Sequence, residues 1–309
     1  HNDSHWFLNE NAKLTGLSPV YGPEQTLLSY RTRMGIKMLK DQSGKDKLFN
    51  IKEVEDALYS NRSYLWENLG EELKARCATW SEPQLKEACD SLSLWNGRFD
   101  LDSKGFAAFR EFATLWDNKL HKVAFNVADP LNTPSGLADE AAPVDGIKAI
   151  FLKVADNLAK AGFSPSASVR DIQFFKLPDF EGGVKEKVSY HGGLHEEGAF
   201  NVQDWDGSNH LTAYAYPEVK DADFINAKST LTKEGYGING GSSFMMLAEF
   251  TAKGPKVRGI LSYSQSSDPD SPYFADQNYL YQQKKMRDFP HAWRDIEWGN
   301  YKRQTIVLK

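Results

Sequence analysis

The sequence has few cysteines, no long apolar run and no excess of positive charge, and each absence excludes a class of protein. Its 309 residues carry 37 Lys and Arg against 42 Asp and Glu, for a net charge of −5, so nothing favours a nucleic acid or another polyanion as partner. The longest apolar candidate, residues 147–158, is interrupted by Lys148, Lys153 and Asp156 and is shorter than the roughly 20 residues that cross a bilayer. We therefore expect no membrane span and no membrane partner.

The short motifs of several enzyme classes are also missing. Residues 263–269 are rich in hydroxyl groups but lack the Gly-x-Ser-x-Gly spacing of a nucleophile elbow. We expect a loop held by local hydrogen bonds there, the alternative being a loop that borders a catalytic cleft. No cofactor and no metal is predicted. His191 and His195 leave a metal-dependent hydrolase as an alternative, although Gly192 and Gly193 argue against the helix that their spacing would require.

Helical patterns dominate residues 50–163. Asn50 and Glu53 have the spacing of a capping box, and further helices are predicted over 63–79, 81–95, from Ser103 onward and over 144–163. The helix that begins at Ser103 carries an aromatic stripe at helical spacing, which predicts a core rather than a ligand pocket. The stripe consists of Phe106, Phe109, Phe112, Leu115, Trp116 and Leu120.

Short strands are predicted after residue 185. Residues 188–190 and 199–202 are strand candidates, and 244–250 with 257–263 form the clearest hairpin. The first strand of this hairpin is nearly all apolar, so we expect both of its faces to be covered.

The two cysteines lie in consecutive predicted helices. Cys77 ends one helix and Cys89 lies in the next, which begins near Pro83. A disulfide would join this helical hairpin; two buried thiols are the alternative.

The first thirty-three residues hold a polar cluster, Asn2-Asp3-Ser4-His5-Trp6, followed by turn-rich chain and a helix predicted from Gln25 or Thr26 to about Gln42. At about 100° per residue, Arg31 falls at the centre of the apolar side of this helix, and Arg33 falls on the opposite, solvent side. The apolar side consists of Leu27, Leu28, Met34, Met38 and Leu39. An inward guanidinium indicates either a structural ion pair or an arginine directed into a site.

Several stretches resemble the large subunit of penicillin-acylase-type enzymes, close to acyl-homoserine-lactone and aculeacin-type acylases. The similar stretches are 2–6, 14–19, 29–33, 92–105, 198–201, 240–244 and, most specific of all, Leu261–Gln277. The likeness runs from end to end and is weakest over 122–187. These are N-terminal-nucleophile hydrolases, and the resemblance implies an α+β chain that forms part of a four-layer αββα fold, with a helical insertion. Resemblance to exported enzymes favours the disulfide and a periplasmic or secreted location.

The resemblance also implies the chemistry. In this family an N-terminal serine attacks the amide, with its own α-amino group as base. Asn2 matches the asparagine that donates to the oxyanion, and Arg31 matches the arginine that orients the site. This chain begins with His1, so the nucleophilic Ser is expected on an upstream large-subunit segment, with the small (α) subunit as a further partner. By itself the chain is expected to be inactive.

We therefore predict three regions: residues 1–49 as the active-site loop and helix, 50–182 as mainly helical, and 183–309 as strand-rich with one helix. The predicted function is removal of an acyl chain from an N-acylated small molecule. A non-catalytic binding or scaffold module of the same fold is the alternative.

Overall fold

The structure, a computed structural model, describes residues 4–42, 46, 48–139, 146–205, 223–299, 301 and 305–307. The helices of this part are α1 (Tyr30–Gln42), α2 (Ile51–Leu58), α3 (Tyr64–Cys77), α4 (Pro83–Leu94), α5 (Phe106–Leu115), α6 (Gly146–Ala161), α7 (Val169–Ile172), α8 (Asp276–Gln282) and α9 (Trp293–Trp298). The strands are β1 (Phe7–Asn9), β2 (Ala12–Lys13), β3 (His121–Val123), β4 (Ser135–Leu137), β5 (Gln173–Pro178), β6 (Val184–Ser189), β7 (Gln203–Asp204), β8 (Leu231–Thr232), β9 (Gly235–Ile238), β10 (Gly240–Gly241), β11 (Phe244–Thr251), β12 (Gly254–Leu261) and β13 (Arg287–Phe289). The predicted α+β class is confirmed.

Local signals in the sequence place several helices correctly. The Asn50 side chain accepts hydrogen bonds from the backbone N–H groups of Lys52 and Glu53, and the Glu53 carboxylate accepts from the Asn50 N–H. The predicted capping box is therefore confirmed.

Helix α1 begins later than predicted, because Gln25 has a left-handed backbone and Ser29 Oγ caps the helix by accepting from the Thr32 N–H.

Helices α3 to α6 enclose an aromatic core. Phe106, Phe109 and Phe112 of α5 are fully buried, which confirms that the aromatic stripe belongs to the core. A disulfide joins Cys77, the last residue of α3, to Cys89 in α4. The disulfide therefore links α3 and α4, two helices that also contribute side chains to the aromatic core.

Two sheets share a second core. The larger has the strand order β6-β5-β9-β8 with β5 and β9 parallel, and the other is the antiparallel set β11-β12-β13. Their buried side chains form one cluster: Phe175, Leu177, Val188, Ile238, Met245, Leu247 and Ile260, with Tyr190 and Tyr281. Packing of one sheet on another is an element of the αββα arrangement that the resemblance implies. Residues 199–202, a predicted strand, make only isolated bridges.

Within the described residues only one face of β11 is covered, whereas cover of both faces was expected. Met245 and Leu247 point into the shared core, whereas Phe244, Met246 and Phe250 on the alternate positions are exposed. An apolar run shows that the side chains on both faces of a strand are apolar. Only the tertiary structure decides which elements pack against each face.

The strand-rich region contains α8 and α9 where one helix was expected, and the three predicted regions remain a prediction. No helix in the described ranges combines the length and the apolar character needed to span a bilayer.

Candidate active site

Arg31 lies in the first turn of α1, where the structure ties it to a distant loop. Its Nε donates to the Phe200 carbonyl oxygen at 3.0 Å, and its Cζ lies 4.8 Å from the centre of the Phe200 ring. The side chain is half-buried. A hydrogen bond and a ring contact from one residue fix the plane of the guanidinium, so its charge is presented in a defined direction.

The helical wheel predicted Arg33 on the solvent side of α1, and this prediction is wrong. The residue is only 1% exposed. Its Nε donates to the Leu131 carbonyl at 2.7 Å, one Nη donates to the Pro134 carbonyl at 3.1 Å, and Cζ lies 4.5 Å from the Tyr64 ring centre. Burial lowers the pKa of Arg33. The wheel fails because the chain around Leu131 and Pro134 covers the side of α1 that the pattern assigned to water.

The predicted inward stripe is also incomplete, since Leu27 and Leu39 are exposed whereas Leu28, Met34 and Met38 are buried. The preference for Arg31 as the site arginine therefore depends on the resemblance, not on the wheel. Asn2, the predicted oxyanion donor, lies outside the described residues.

The loop that holds Arg31 fits closely against α1 and α3. Gly198 has a left-handed backbone (φ +70°), and a Cβ there would lie 2.7 Å from the Cβ atoms of both Tyr30 and Tyr64. Gly35 of α1 similarly faces the Phe200 ring, because a Cβ at Gly35 would lie 2.9 Å from a carbon of that ring. These close approaches leave room for glycine only, so the loop and the two helices pack in one arrangement.

A buried ion pair between α5 and the loop of residues 194–200 holds this loop in place. The Glu197 carboxylate accepts from Nε of Arg110 at 3.1 and 3.2 Å, from one Nη at 3.0 Å, and from the Leu194 N–H at 2.7 Å. Both side chains are fully buried. Burial alone would lower the pKa of Arg110, but the charge of Glu197 raises it above the usual value. The pair ties α5 to residues 194–200 and thus to the support of Arg31.

Three titratable groups in this loop and in β7, which follows it, have shifted pKa values. Burial raises the pKa of Glu197. Partial burial of its ring and the positive charge of Arg31 lower the pKa of His195, although the residue as a whole is exposed. Burial, reinforced by the negative charge of Glu196, raises the pKa of Asp204 to about 6. Such shifts cluster at functional sites, and here they occur over residues 195–204, which include Phe200, the partner of Arg31.

His191 does not have the environment of a metal ligand. It is fully buried; its Nε2 lies 2.8 Å from the Tyr281 carbonyl, and Nδ1 lies 3.1 Å from the amide nitrogen of Asn61. Burial lowers its pKa to about 4. His195 is exposed by contrast, and the described part of the chain holds no group of three or more His, Cys, Asp or Glu side chains placed for a metal ion. His191 instead connects strand, loop and helix through hydrogen bonds.

The supporting roles of Arg110, Glu197 and Arg33 were not predicted from the sequence. A signal existed for Arg110, since it lies four residues after Phe106 and therefore on the aromatic side of α5. The same wheel argument that selected Arg31 would have selected Arg110 as a buried charge that needs a partner. No local pattern could have identified Glu197 as that partner, because it lies 87 residues further along the chain.

A family model and the similar curated proteins all indicate the same kind of enzyme, an acylase. Residues 1–298 match the family model described as penicillin amidase. Aculeacin-A acylase of Actinoplanes utahensis is 33% identical over 298 residues, which cover 92% of this chain and 33% of that protein. Acyl-homoserine lactone acylase PvdQ of Pseudomonas savastanoi pv. phaseolicola is 28% identical over 306 residues, which cover 96% of this chain and 35% of that protein.

Among solved structures, the chain is similar to a thermostable penicillin G acylase from Alcaligenes faecalis, with a TM-score of 0.41 and 14% identity, over 90% of this chain and 52% of that one. The chain spans about a third of the length of the curated relatives it matches. Because the family model covers nearly all of its residues, the chain belongs to the penicillin amidase family.

Proposed function

We propose that this chain is the C-terminal portion of an acylase, an amidohydrolase that removes the acyl chain from an N-acylated small molecule such as an acyl-homoserine lactone, a lipopeptide or a penicillin. The observation that carries the proposal is the family match over residues 1–298. Two relatives named for their activity, on aculeacin A and on acyl-homoserine lactones, are similar over nearly the whole chain.

In this proposal the attacking group is an N-terminal Ser on an upstream large-subunit segment, with its α-amino group as base. Asn2 donates a hydrogen bond to the oxyanion of the tetrahedral intermediate, where charge develops in the transition state. Arg31 orients the groups around the nucleophile. Its anchoring on the Phe200 carbonyl supports that role, because an orienting charge must itself be held in place.

The partners in this proposal are the upstream segment, the small (α) subunit and the N-acylated substrate. The disulfide between Cys77 and Cys89 supports a periplasmic or secreted location, since such bonds persist in oxidising compartments.

The test uses the enzyme as purified from its source, with every chain that accompanies this one. Intact-mass analysis is expected to find a co-purifying chain that begins with Ser, and chromatography is expected to show release of a fatty acid from an N-acyl-homoserine lactone or a lipopeptide. A preparation in which all chains are present but no N-acyl amide is cleaved would support the non-catalytic module instead.

Asn2→Ala in this assembled enzyme tests the assigned role. Loss of one oxyanion donor is expected to lower kcat by about two to three orders of magnitude, because it removes about 3–4 kcal/mol of transition-state stabilisation. The melting temperature should change little, since the variant loses a single side-chain amide and no apolar group. Wild-type turnover in the variant would reject Asn2 as the donor.

A further inference from the structure

The loop that carries the Phe200 carbonyl also carries Asn201, a buried amide that has no part in the proposed chemistry. Residues 199 and 201–203 are at most 2% exposed, whereas Phe200 among them is half-buried. This run therefore turns one side chain, the ring that contacts Arg31, towards α1 and directs the others into the protein. Asn201 is the first of these inward side chains after Phe200.

Asn201 shares a peptide plane with the carbonyl that holds Arg31. The C=O of Phe200 and the N–H and Cα of Asn201 belong to one planar unit, because the peptide bond has partial double-bond character. A rotation of the Asn201 backbone therefore turns the Phe200 oxygen, to which Arg31 Nε donates at 3.0 Å. Contacts that fix Asn201 also fix the direction of that acceptor.

Three distant segments contact the Asn201 amide. Its Nδ2 donates to Asn61 Oδ1 at 3.1 Å and to the Tyr281 hydroxyl at 3.0 Å, and lies 3.3 Å from His191 Nδ1. Asn61 precedes α3, His191 follows β6, and Tyr281 belongs to α8. We call these four residues, Asn61, His191, Asn201 and Tyr281, the amide cluster.

The donors and acceptors of the amide cluster match. His191 Nε2 lies 2.8 Å from the Tyr281 carbonyl, so Nε2 carries the proton, and Nδ1 accepts from Asn61 Nδ2 at 3.1 Å. The two amide protons of Asn201 then go to Asn61 and to Tyr281, whose hydroxyl donates to the His191 carbonyl at 2.8 Å. All four side chains are at most 2% exposed. A buried network with satisfied donors specifies one arrangement of the segments that meet in it.

Tyr281 is itself held by the stretch that resembles the acylases most specifically, residues 261–277. Ser264 in this stretch has a left-handed backbone (φ +59°), and its Oγ accepts from the Gln277 N–H at 3.0 Å in the first turn of α8. The stretch therefore fixes the helix that supplies Tyr281 to the amide cluster.

We propose that Asn201 is a positioning residue of the acylase site, which acts through Phe200 by holding the carbonyl on which Arg31 is anchored. The inference rests on the proposed function, in which Arg31 orients the groups around the nucleophile. A displacement of about 1 Å in a site can cost about a hundredfold in rate. A buried amide one residue away from the anchoring contact is therefore able to control turnover without touching the substrate.

The test is a double-mutant cycle on kcat in the complete enzyme, purified with every chain that accompanies this one. Asn201→Ala is expected to lower kcat at least about tenfold when Arg31 is present. In the Arg31→Ala background it should lower kcat less than about twofold, because the group that it positions is absent. An equal factor in both backgrounds would overturn the proposal, since a merely structural loss acts independently of Arg31.

Asn157→Ala is the matched control. Asn157 of α6 is 5% exposed, and its amide donates to the buried Glu111 carboxylate of α5 at 2.7 Å. This variant should lower the melting temperature about as much as Asn201→Ala and leave kcat of the folded enzyme unchanged. A loss of kcat as large as that of Asn201→Ala would show a general effect of buried amides and would also overturn the proposal.

Tyr281→Phe tests the same link with a smaller change, should Asn201→Ala fail to assemble. It removes the hydroxyl that accepts from Asn201 and keeps the ring stacked on the His191 ring, with centres 4.2 Å apart. A fall in kcat of at least about threefold is expected, again only when Arg31 is present. Unchanged kcat in Tyr281→Phe would contradict the proposed link.

Arginine modification separates this inference from the proposed function, because it requires no turnover. The complete enzyme is treated with hydroxyphenylglyoxal, and modified peptides are measured by mass spectrometry. Arg31 is expected to react at least about threefold faster in Asn201→Ala than in the wild type, since its anchor is loosened. Arg33, which is 1% exposed, should react equally slowly in both.

The outcomes are distinct. Faster modification of Arg31 in Asn201→Ala, in an enzyme whose wild type cleaves no N-acyl amide, supports the placement of Arg31 by Asn201 and rejects the acylase assignment. Full amidase activity and an unchanged modification rate of Arg31 in Asn201→Ala support the acylase assignment and reject the positioning role.

Discussion

Breaking the buried pair between Arg110 and Glu197 should be among the most destabilising single changes in this chain. The pair contributes three charge-assisted contacts of 3.0–3.2 Å, and Glu197 also accepts from the Leu194 N–H at 2.7 Å. Glu197→Ala leaves the guanidinium fully buried with the Gln173 side chain and the faces of Phe106 and Tyr236 as neighbours. Loss of one partner of a buried pair costs about 3–5 kcal/mol, because the remaining charge has no compensation.

The assay is urea-induced unfolding of the purified chain, followed by tryptophan fluorescence at neutral pH. Glu197→Ala is expected to lower the free energy of unfolding by about 3–5 kcal/mol. A cycle of Arg110→Met, Glu197→Gln and their double variant isolates the cause. The double variant should lose less than either of these two single changes, because it removes the buried charge and keeps an oxygen that can accept from the Leu194 N–H. The coupling between the two positions then measures the penalty of the unpaired charge.

Asp102→Ala provides the matched control, since Asp102 pairs with Arg170 at 2.9 Å on the surface and both side chains are largely exposed. Its cost is expected to stay below about 1 kcal/mol. A loss for Glu197→Ala no larger than that of the surface control would refute the argument from burial. Additive losses in the double variant would refute the argument from the unpaired charge.

Three further predictions concern the two arginines of α1, Asp204 and the disulfide. In the assembled enzyme Arg31→Ala should lower kcat at least tenfold with little change in melting temperature, while Arg33→Ala should lower the melting temperature through loss of its bonds to two carbonyls; equal thermal effects would contradict this division. The pKa of Asp204, raised to about 6 by burial, makes the folded chain bind more protons than the unfolded chain between pH 4 and 6. Stability due to this group therefore falls as pH rises through that window, so Asp204→Asn should stabilise the chain at about pH 7 but not at about pH 3.5, as calorimetry can determine. Replacing Cys77 and Cys89 with Ser should cost about 3 kcal/mol in urea unfolding, and a loss below about 1 kcal/mol would show that the packing of α3 on α4 suffices without the bond.

Features that depend on residues close together in the chain were predictable. The capping box of Asn50 and Glu53 and the aromatic side of α5 follow from spacing. The bond between Cys77 and Cys89 was favoured by their place in consecutive helices together with the resemblance to exported enzymes, and two buried thiols were the alternative. Such interactions are local, so the helix period of about 3.6 residues is enough to place them.

The candidate site was predictable only in part. The resemblance selected Arg31, whose half-buried position and bond to Phe200 the structure supplies, while Asn2 stays a prediction. The wheel argument on α1 gave Arg33 the wrong side, since the carbonyls that bind it lie 98 and 101 residues further along the chain.

The sequence by itself determined the family, the mixed fold class and the helices with strong caps, because these depend on residue identity and short-range periodicity. Only the tertiary structure decided which surfaces of those elements are covered. It buried Arg33 under a distant loop, paired Arg110 with Glu197 across the fold, and left Phe250 and the outer side of β11 exposed. Burial depends on what packs against a residue in space, and a pattern along the chain specifies only which surfaces are suited to be buried.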